Sequence, residues 1–115
     1  MILAYTGALP RKVNDLIVGP ENEWMLSTVS LAEVAIKNAI GKLDMPELET
    51  LRAVRELQIS LLPLDPRHVF EMFSLPLHHR DPFDRMILAT AIVEKLPIVT
   101  GDRFFPRYSE VKVIW

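Results

Sequence analysis

One helix and the strand that follows it constrain the fold of this chain more than any other part. The helix is predicted over residues 82–95, with Asp81 as N-cap and Pro82 as its first residue, and it is so apolar that it must be buried. Residues 96–102, Leu-Pro-Ile-Val-Thr-Gly-Asp, then read as a short apolar strand ending on Asp102. A buried helix leading into a buried strand is typical of the α/β class, and carboxylates border both elements.

Strands and helices alternate along the rest of the chain. The patterns predict helices over 10–18, 30–40, 46–57, 65–73 and 82–95, a helical turn over 103–108, and strands over 24–28, 59–64, 97–100 and 111–115. This order predicts an α/β fold, a parallel sheet with helices on both faces. Such a fold normally opens with a strand, whereas this chain is interpreted as opening almost directly into a helix.

Size and composition allow one domain and exclude several classes of protein. The 115 residues are expected to form a single domain over 1–115, and half of them are hydrophobic, enough for a core. The net charge of −2 argues against holding nucleic acid by bulk positive charge. Without cysteine, disulfides and thiolate zinc sites are excluded, and no apolar run is long enough for a membrane span. We expect a soluble cytoplasmic protein.

Three acidic residues, Glu33, Asp84 and Asp102, each lie just past the end of a predicted strand. The carboxyl ends of parallel strands share one edge of the sheet, so these carboxylates are expected to converge there. A site with only oxygen ligands suits Mg²⁺ or Mn²⁺ better than zinc. The sequence therefore predicts a divalent-cation site at this edge.

Each acid also has a purely structural interpretation. Ser30 and Glu33 have the spacing of a capping box, and Lys37 lies one helical turn after Glu33, where the two side chains can pair. Asp84 falls on the first turn of its helix, where a carboxylate interacts favourably with the helix dipole. Asp102 is suited to a turn or to the N-cap of the next short helix.

Other polar and aromatic residues near this edge have similar alternatives. The residues that can bind phosphates are Lys37, Arg80, Arg85, Thr100 and Arg103. Ion pairing with neighbouring acids is the structural alternative for the basic members. Phe104, Phe105 and Tyr108 can stack on bases, but packing under the last strand is the preferred interpretation. His78 and His79 are adjacent and cannot share a helix face, so they are interpreted as loop residues rather than a zinc pair.

Four stretches of the chain, taken together, resemble PIN-domain proteins and most closely the VapC-type toxins of toxin–antitoxin systems. They are residues 27–37, 41–43, 75–85 and 99–102, and the resemblance covers nearly the whole chain. The run His-His-Arg-Asp-Pro-Phe-Asp-Arg at 78–85 is typical of one VapC-like branch.

The resemblance implies a Mg²⁺- or Mn²⁺-dependent ribonuclease with four acids at its site. Carried onto this sequence, Glu33 matches the second acid, Asp84 the third and Asp102 the fourth, while Thr100 matches the hydroxyl residue beside the last acid. These three acids would be both the catalytic and the metal-binding residues, with Lys37, Arg85 and Thr100 close to the substrate phosphate. The implied partners are an RNA substrate, a cognate VapB-like antitoxin and a second copy in a homodimer.

The first acid of the family has no match. In the family an Asp-Thr-His-like motif ends the first strand, and an apolar helix start follows, which residues 2–7 resemble. We therefore expect the chain to begin inside the first helix, without the first strand and its aspartate. That strand is central in the family, so its loss would leave unpaired strand edges in the core. An in-frame Asp-Thr-His-like run upstream of Met1 would restore the site.

Two functions remain open at this point. The first is a VapC-like ribonuclease, and the second is a catalytically inactive PIN-like module that binds antitoxin or RNA without cleavage. A receiver-like phosphoacceptor domain is a third interpretation, but it needs an early acidic pair and a late lysine after a strand, which the sequence lacks.

Overall fold

The structure is a computed structural model that describes residues 1–4 and 23–115. The helix predicted over 10–18 lies outside the described residues. In the described part, the strands are β1 (Ile2–Leu3), β2 (Met25–Ser27), β3 (Ser60–Leu62), β4 (Ile98–Val99) and β5 (Val113–Ile114). The α-helices there are α1 (Thr28–Ala39), α2 (Glu47–Glu56), α3 (Pro66–Glu71) and α4 (Pro82–Glu94). Two 3₁₀ turns, Met72–Ser74 and Phe105–Arg107, follow α3 and β4.

The five strands form one parallel sheet in the order β3-β2-β1-β4-β5. The predicted α/β, PIN-like architecture is therefore confirmed. Most predicted elements in the described ranges are found with boundaries shifted by a few residues. The strands are shorter than predicted because only residues within the ladder of backbone hydrogen bonds are assigned to a strand.

The expectation that the first strand is missing is wrong. Ile2–Leu3 is the central strand, with Ile2 in register with Met25 on one side and with Ile98 on the other. The Ile2 N–H donates to the Pro97 carbonyl at 2.8 Å, and the Ala4 N–H donates to the Val99 carbonyl at 3.0 Å. A four-residue apolar run is too short for periodicity to separate strand from helix, and its hydrogen bonds come from distant parts of the chain.

Side chains of the central strands alternate between two apolar layers, as expected for a sheet covered on both faces. Ile2 and Ile98 are fully buried in a cluster with the apolar residues of α4, of which Ile87, Leu88 and Ala89 are at most 1% exposed. The next residues along the two strands, Leu3 and Val99, pack on the opposite face with Trp24, Ile114 and Trp115. The predicted burial of the helix at 82–95 is confirmed. None of the helices in the described ranges has both the length and the apolar character needed to cross a membrane.

The N-cap of α1 differs from the prediction. The helix begins at Thr28, and the Ser27 hydroxyl caps it by accepting the Val29 N–H at 3.1 Å. Ser30 therefore lies inside the first turn, and the predicted capping box between Ser30 and Glu33 is wrong. The Glu33 side chain therefore takes no part in capping α1 and can make other contacts.

Candidate metal centre

The candidate site lies at the carboxyl edge of the sheet, near the ends of the paired strands β1 and β4. The chain runs from β1 outward to β2 and β3 on one side, whereas β4 and β5 lie on the other. Ligands of open α/β sheets bind at such a reversal of strand order. Asp102 follows β4 by three residues, and the amino end of α4 brings Asp84 to the same edge.

Asp84 and Asp102 converge on one histidine. His79 Nε2 lies 3.0 Å from Asp84 Oδ2 and 3.0 Å from Asp102 Oδ2. The three ligand atoms are all within 4.8 Å of one another. All three side chains are mostly shielded from water, with 10% of His79, 24% of Asp84 and 29% of Asp102 exposed. Two of the three predicted acids thus share one small, partly buried site.

His79 was missed by the sequence interpretation, which made it a loop residue. It does precede α4 in a loop, but its ring is buried beneath the aspartates. The available signal was its position two residues before the N-cap, because there the ring nitrogen Nδ1 can accept the N–H of Asp81, at 3.1 Å. His78 is exposed and stacks edge-on against Tyr108, with ring centroids 5.1 Å apart.

The loop that carries His79 is held by hydrogen bonds from outside itself. Arg85 donates to the carbonyls of Pro76 at 3.0 Å, His79 at 3.1 Å and Leu75 at 3.4 Å. The Tyr108 hydroxyl donates to Pro76 O at 2.8 Å and accepts the His79 N–H at 2.9 Å. These contacts favour a structural role for Arg85, and its expected phosphate contact stays a prediction.

Asp84 is the most perturbed acid at the site. Burial raises its pKa from 3.8 to about 6, with further upward contributions from the charges of Asp81, Asp102 and Glu33, while His79 opposes the shift. Asp81 also caps α4, as predicted, by accepting the Asp84 N–H at 3.0 Å. A bound cation would stabilise the ionised form of Asp84 against its burial and the neighbouring negative charges.

Glu33 faces the aspartates but is not part of their contact cluster. Its charge acts on Asp84, yet its carboxylate is outside the group of atoms within 4.8 Å of one another. It pairs instead with Lys37, whose Nζ lies 3.1 Å from Oε2, so the predicted i,i+4 pair is confirmed. The structure thus brings Asp84 and Asp102 together and leaves Glu33 at the margin of the site.

Thr100 and Asp102 shape the turn that follows β4. The buried Thr100 hydroxyl accepts the Asp102 N–H at 3.2 Å, and Asp102 Oδ1 accepts the Phe104 N–H at 2.8 Å. The turn interpretation of Asp102 is therefore confirmed, while its Oδ2 still reaches His79. Gly101 is required between them because a Cβ there would lie 2.7 Å from the Trp115 ring. A cleft of about 430 Å³ opens beside this turn, and Arg103 lines it.

The expected packing of the aromatic residues after this turn is confirmed for two of them. Phe105 and Tyr108 are at most 3% exposed. Phe104 is partly buried, lies against the His79 ring and carries the guanidinium of Arg103 over its own ring at 5.0 Å. The three aromatic rings are thus packed against protein groups, without a nucleic acid base.

A second group of possible ligands is already satisfied by protein. His68, fully buried, lies with Nε2 2.8 Å from Glu94 Oε1, and its Nδ1 accepts the Asp65 N–H at 3.0 Å. The Arg67 guanidinium already supplies the positive charge that a metal ion would bring, because its Nη2 lies 2.8 Å from Asp65 Oδ2 and 2.9 Å from Glu94 Oε1. This group ties α3 to α4 and is interpreted as structural.

The donor set around Asp84 fits Mg²⁺ or Mn²⁺. Its carboxylate oxygens are the ligands that these ions prefer, and the Asp84 pKa is raised first by burial and then by the negative charges of Asp81, Asp102 and Glu33, which a cation would offset. Oxygens of Asp84 and Asp102 would hold the ion, with Glu33 at the margin able to bind it directly or through water.

The family of the chain follows from residues 3–111, which match the model of the PIN domain. The chain belongs to the PIN-domain family. No curated protein matches the sequence at a significant level.

Three solved structures share the fold. One is VapBC2 from Rickettsia felis bound to a DNA fragment from its promoter, with 18% identity, a TM-score of 0.67, and 90% of this chain and 82% of the other covered. Another is DNA-bound VapBC from Salmonella typhimurium, with 18% identity, a TM-score of 0.69, and 91% and 84% of the two chains covered. The third is a toxin–antitoxin complex from Klebsiella pneumoniae, with 16% identity, a TM-score of 0.63, and 92% and 84% covered. At such identities the likeness shows the fold, and it agrees with the VapC-like architecture expected from the sequence.

Proposed function

We propose that this protein is a VapC-type toxin, a metal-dependent ribonuclease that hydrolyses RNA phosphodiester bonds. The observation that carries the proposal is the convergence of Asp84 and Asp102 at the carboxyl edge of the sheet. Membership of the PIN family and the fold shared with VapBC structures support it.

In this proposal the acidic residues of the site bind the ion and the basic residues bind the phosphate. Asp84 and Asp102 would hold Mg²⁺ or Mn²⁺ through carboxylate oxygens, and Glu33 would orient a water molecule or complete the ligand set. Such an ion would supply polarisation of the phosphate and a lowered pKa of water. Lys37 neutralises part of the phosphate charge when substrate displaces it from Glu33, and Arg103 binds a flanking phosphate in the adjacent cleft.

We infer the position of the missing first acid from the location of β1 and the order of the family motif. The family motif ends the first strand, so its aspartate falls directly after residues 2–4, where the sequence reads Tyr5-Thr6-Gly7. Tyr5 lies outside the described residues, so its assignment to the position of the family's first acid rests on the sequence alone. An acid upstream of Met1 would precede β1 and could not reach the carboxyl edge, so upstream sequence is no longer expected to restore the site.

The first test removes one charge at a time. We expect Asp84→Asn and Asp102→Asn each to weaken Mn²⁺ binding at least tenfold and to abolish Mg²⁺-dependent RNA cleavage, because each removes an ionic ligand. Titration calorimetry and a cleavage assay on structured RNA measure the two effects. Glu56→Gln, an exposed residue at the end of α2, removes the same charge and should change neither. Wild-type Mn²⁺ affinity in either aspartate variant would contradict the proposal.

The second test adds the missing acid. We expect Tyr5→Asp to raise Mn²⁺ affinity and RNA cleavage at least tenfold, since a further carboxylate adds an ionic ligand. The same substitution in an Asp102→Asn background should restore little cleavage. Unchanged metal affinity in Tyr5→Asp would show that residue 5 is not the position of the family's first acid.

A partner protein is part of the proposal. The three solved structures described above are VapBC or toxin–antitoxin complexes, two of them bound to DNA. We propose that a VapB-like antitoxin binds this chain and covers the site, and that the chain forms a homodimer. Co-expression with a cognate VapB-like antitoxin should yield a complex that does not cleave RNA.

An inactive binding module is the second candidate function. The observation in its favour is that no aspartate or glutamate occurs among residues 1–14, so the end of β1 supplies no acid. A wild-type chain that binds antitoxin without cleaving RNA, and that gains cleavage in Tyr5→Asp, would establish this alternative.

A further inference from the structure

His79 joins the two aspartates, and the metal hypothesis by itself gives it no role. Its ring is fixed by packing, with Phe104 at 5.4 Å and Phe105 at 5.6 Å between ring centroids. Its backbone N–H is also held by the Tyr108 hydroxyl. The residue is 8% exposed, so the ring has little freedom to turn.

The hydrogen bond at Nδ1 determines which ring nitrogen carries the proton. The partner of Nδ1 is the backbone N–H of Asp81, at 3.1 Å, and a backbone N–H can only donate. Nδ1 must therefore be unprotonated, and the neutral ring carries its proton on Nε2. That N–H is directed at Asp102 Oδ2, 3.0 Å from Nε2, and Asp84 Oδ2 lies 3.0 Å from the same nitrogen in electrostatic contact.

The same argument excludes Nε2 as a metal ligand in this ring orientation. Ligation through Nε2 needs a lone pair there, and the proton would have to move to Nδ1, where it would face the Asp81 N–H. A mixed nitrogen–oxygen site made of His79, Asp84 and Asp102 is the competing interpretation, since their ligand atoms do lie together. The hydrogen bond from the Asp81 N–H to Nδ1 argues against this mixed site, because it keeps the ring proton on Nε2.

Oxygen atoms remain available for an ion when Nε2–H is bound. Among the described residues, Asp84 Oδ1 accepts no hydrogen bond from another group, whereas Asp102 Oδ1 accepts one, from the Phe104 N–H. Each oxygen retains lone pairs for further contacts. The hydrogen bond at Asp102 Oδ2 and the electrostatic contact at Asp84 Oδ2 therefore hold the carboxylates without using up their capacity for ligation.

We propose that His79 is a positioning residue whose Nε2–H, hydrogen-bonded to Asp102 and in close electrostatic contact with Asp84, holds the two carboxylates side by side, so that their other lone pairs face a cation bound by oxygen atoms alone. The proposal rests on the proposed metal site and adds that the histidine supports the ligands without being one. Supporting hydrogen bonds of this kind orient ligands before the ion arrives, and removing them typically lowers affinity ten- to a hundredfold.

The first experiment needs neither metal nor a variant. Nitrogen-15 NMR of the wild-type protein with chelator reports which nitrogen of His79 is protonated. We expect the Nε2–H tautomer at neutral pH. A neutral ring with its proton on Nδ1 would overturn the proposal, because Nε2 would then have a lone pair and could not donate to Asp102.

The second experiment measures Mn²⁺ binding in variants of His79. His79→Leu keeps apolar contact with the phenylalanines and removes the donor, and we expect its Mn²⁺ dissociation constant to rise tenfold or more. His79→Gln returns an N–H at similar reach and should stay within about threefold of wild type. His78→Leu, the same change at the exposed neighbour, should leave the constant unchanged.

Electron spin-echo spectroscopy of bound Mn²⁺ in the wild-type protein separates support from ligation. We expect no coupling to a directly bound ¹⁴N nucleus. Such a coupling, or wild-type affinity in His79→Leu, would overturn the proposal while leaving the nuclease function intact. If the wild-type chain binds no Mn²⁺, the proposed function fails and the metal-directed role of His79 fails with it, whereas the tautomer still decides whether the hydrogen bonds exist.

Discussion

At the scale of single residues, the burial of Asp84 at the candidate site opposes the stability of the fold. Burial and neighbouring carboxylates raise its pKa to about 6, so the folded protein holds the ionised form less well than the unfolded chain does. The sequence placed this acid on the first helical turn, where it also interacts with the helix dipole. Only the fold brought Asp102 and Glu33 close enough to act on it.

The pH dependence of stability follows from this shift. Because the folded pKa is raised, the contribution of Asp84 is fully present below pH 3.8 and is lost as the pH rises through about 6. We expect Asp84→Asn to be more stable than wild type by about 1–2 kcal/mol at pH 7 with chelator present, after allowing for partial solvent screening. Urea unfolding between pH 4 and pH 8 measures the difference.

The control for this prediction is Asp44→Asn, a change at an exposed aspartate, which should alter stability by less than about 0.5 kcal/mol. The advantage of Asp84→Asn should shrink towards zero near pH 4. An Asn variant less stable than wild type at pH 7 would mean that the charge of Asp84 is compensated in the folded protein.

At the scale of elements, the loop before α4 and the first turn of α4 form one unit. Arg85 lies on the helix and binds three carbonyls of the preceding loop, and this fixes the direction from which His79 enters the site. The sequence predicted the helix and its cap from Asp81-Pro82. It did not predict the arginine bonds, because loop carbonyls leave no pattern in the side-chain sequence.

Removal of the Arg85 guanidinium tests this unit. We expect Arg85→Met, which keeps the apolar stem, to lower stability by about 2 kcal/mol and to weaken Mn²⁺ binding through displacement of His79, since carbonyls bonded to a charged group lose their partner. Thermal and urea unfolding measure the first effect. Arg80→Met, at an exposed arginine in the same loop, should change stability by less than about 0.5 kcal/mol.

The outcome of that comparison also decides between the two interpretations of Arg85. If Arg85→Met keeps wild-type stability and metal affinity but loses RNA cleavage, the guanidinium binds the substrate phosphate, as the family resemblance suggested, and the structural role is wrong.

At the scale of the whole molecule, the short central strand β1 joins the two halves of the sheet. It pairs with β2 on one side and β4 on the other, and Ile2 is fully buried against α4. Its two residues carry no periodic signal, so sequence reasoning assigned them to a helix start. Hydrogen bonds to strands more than 20 residues away decide the assignment instead.

Truncation of Ile2 tests its central position. We expect Ile2→Ala to lower the free energy of unfolding by about 2–4 kcal/mol, as for other large-to-small changes in a packed core. Ile36→Ala, on α1 with 48% of the residue exposed, should cost less than about 1 kcal/mol. Equal effects in the two variants, measured by urea unfolding, would contradict the assignment of residues 2–3 to the central strand.

The sequence by itself determined the α/β class, most helices and strands, and which acids were candidates for the site. These follow from local information, since apolar periodicity, N-cap residues and proline act within a few positions of each other. The tertiary structure decided that residues 2–3 are the central strand, that Ser27 caps α1, and that His79 lies between Asp84 and Asp102. Those features depend on contacts between residues distant in the chain, and such contacts are formed only when the whole sheet and α4 pack together.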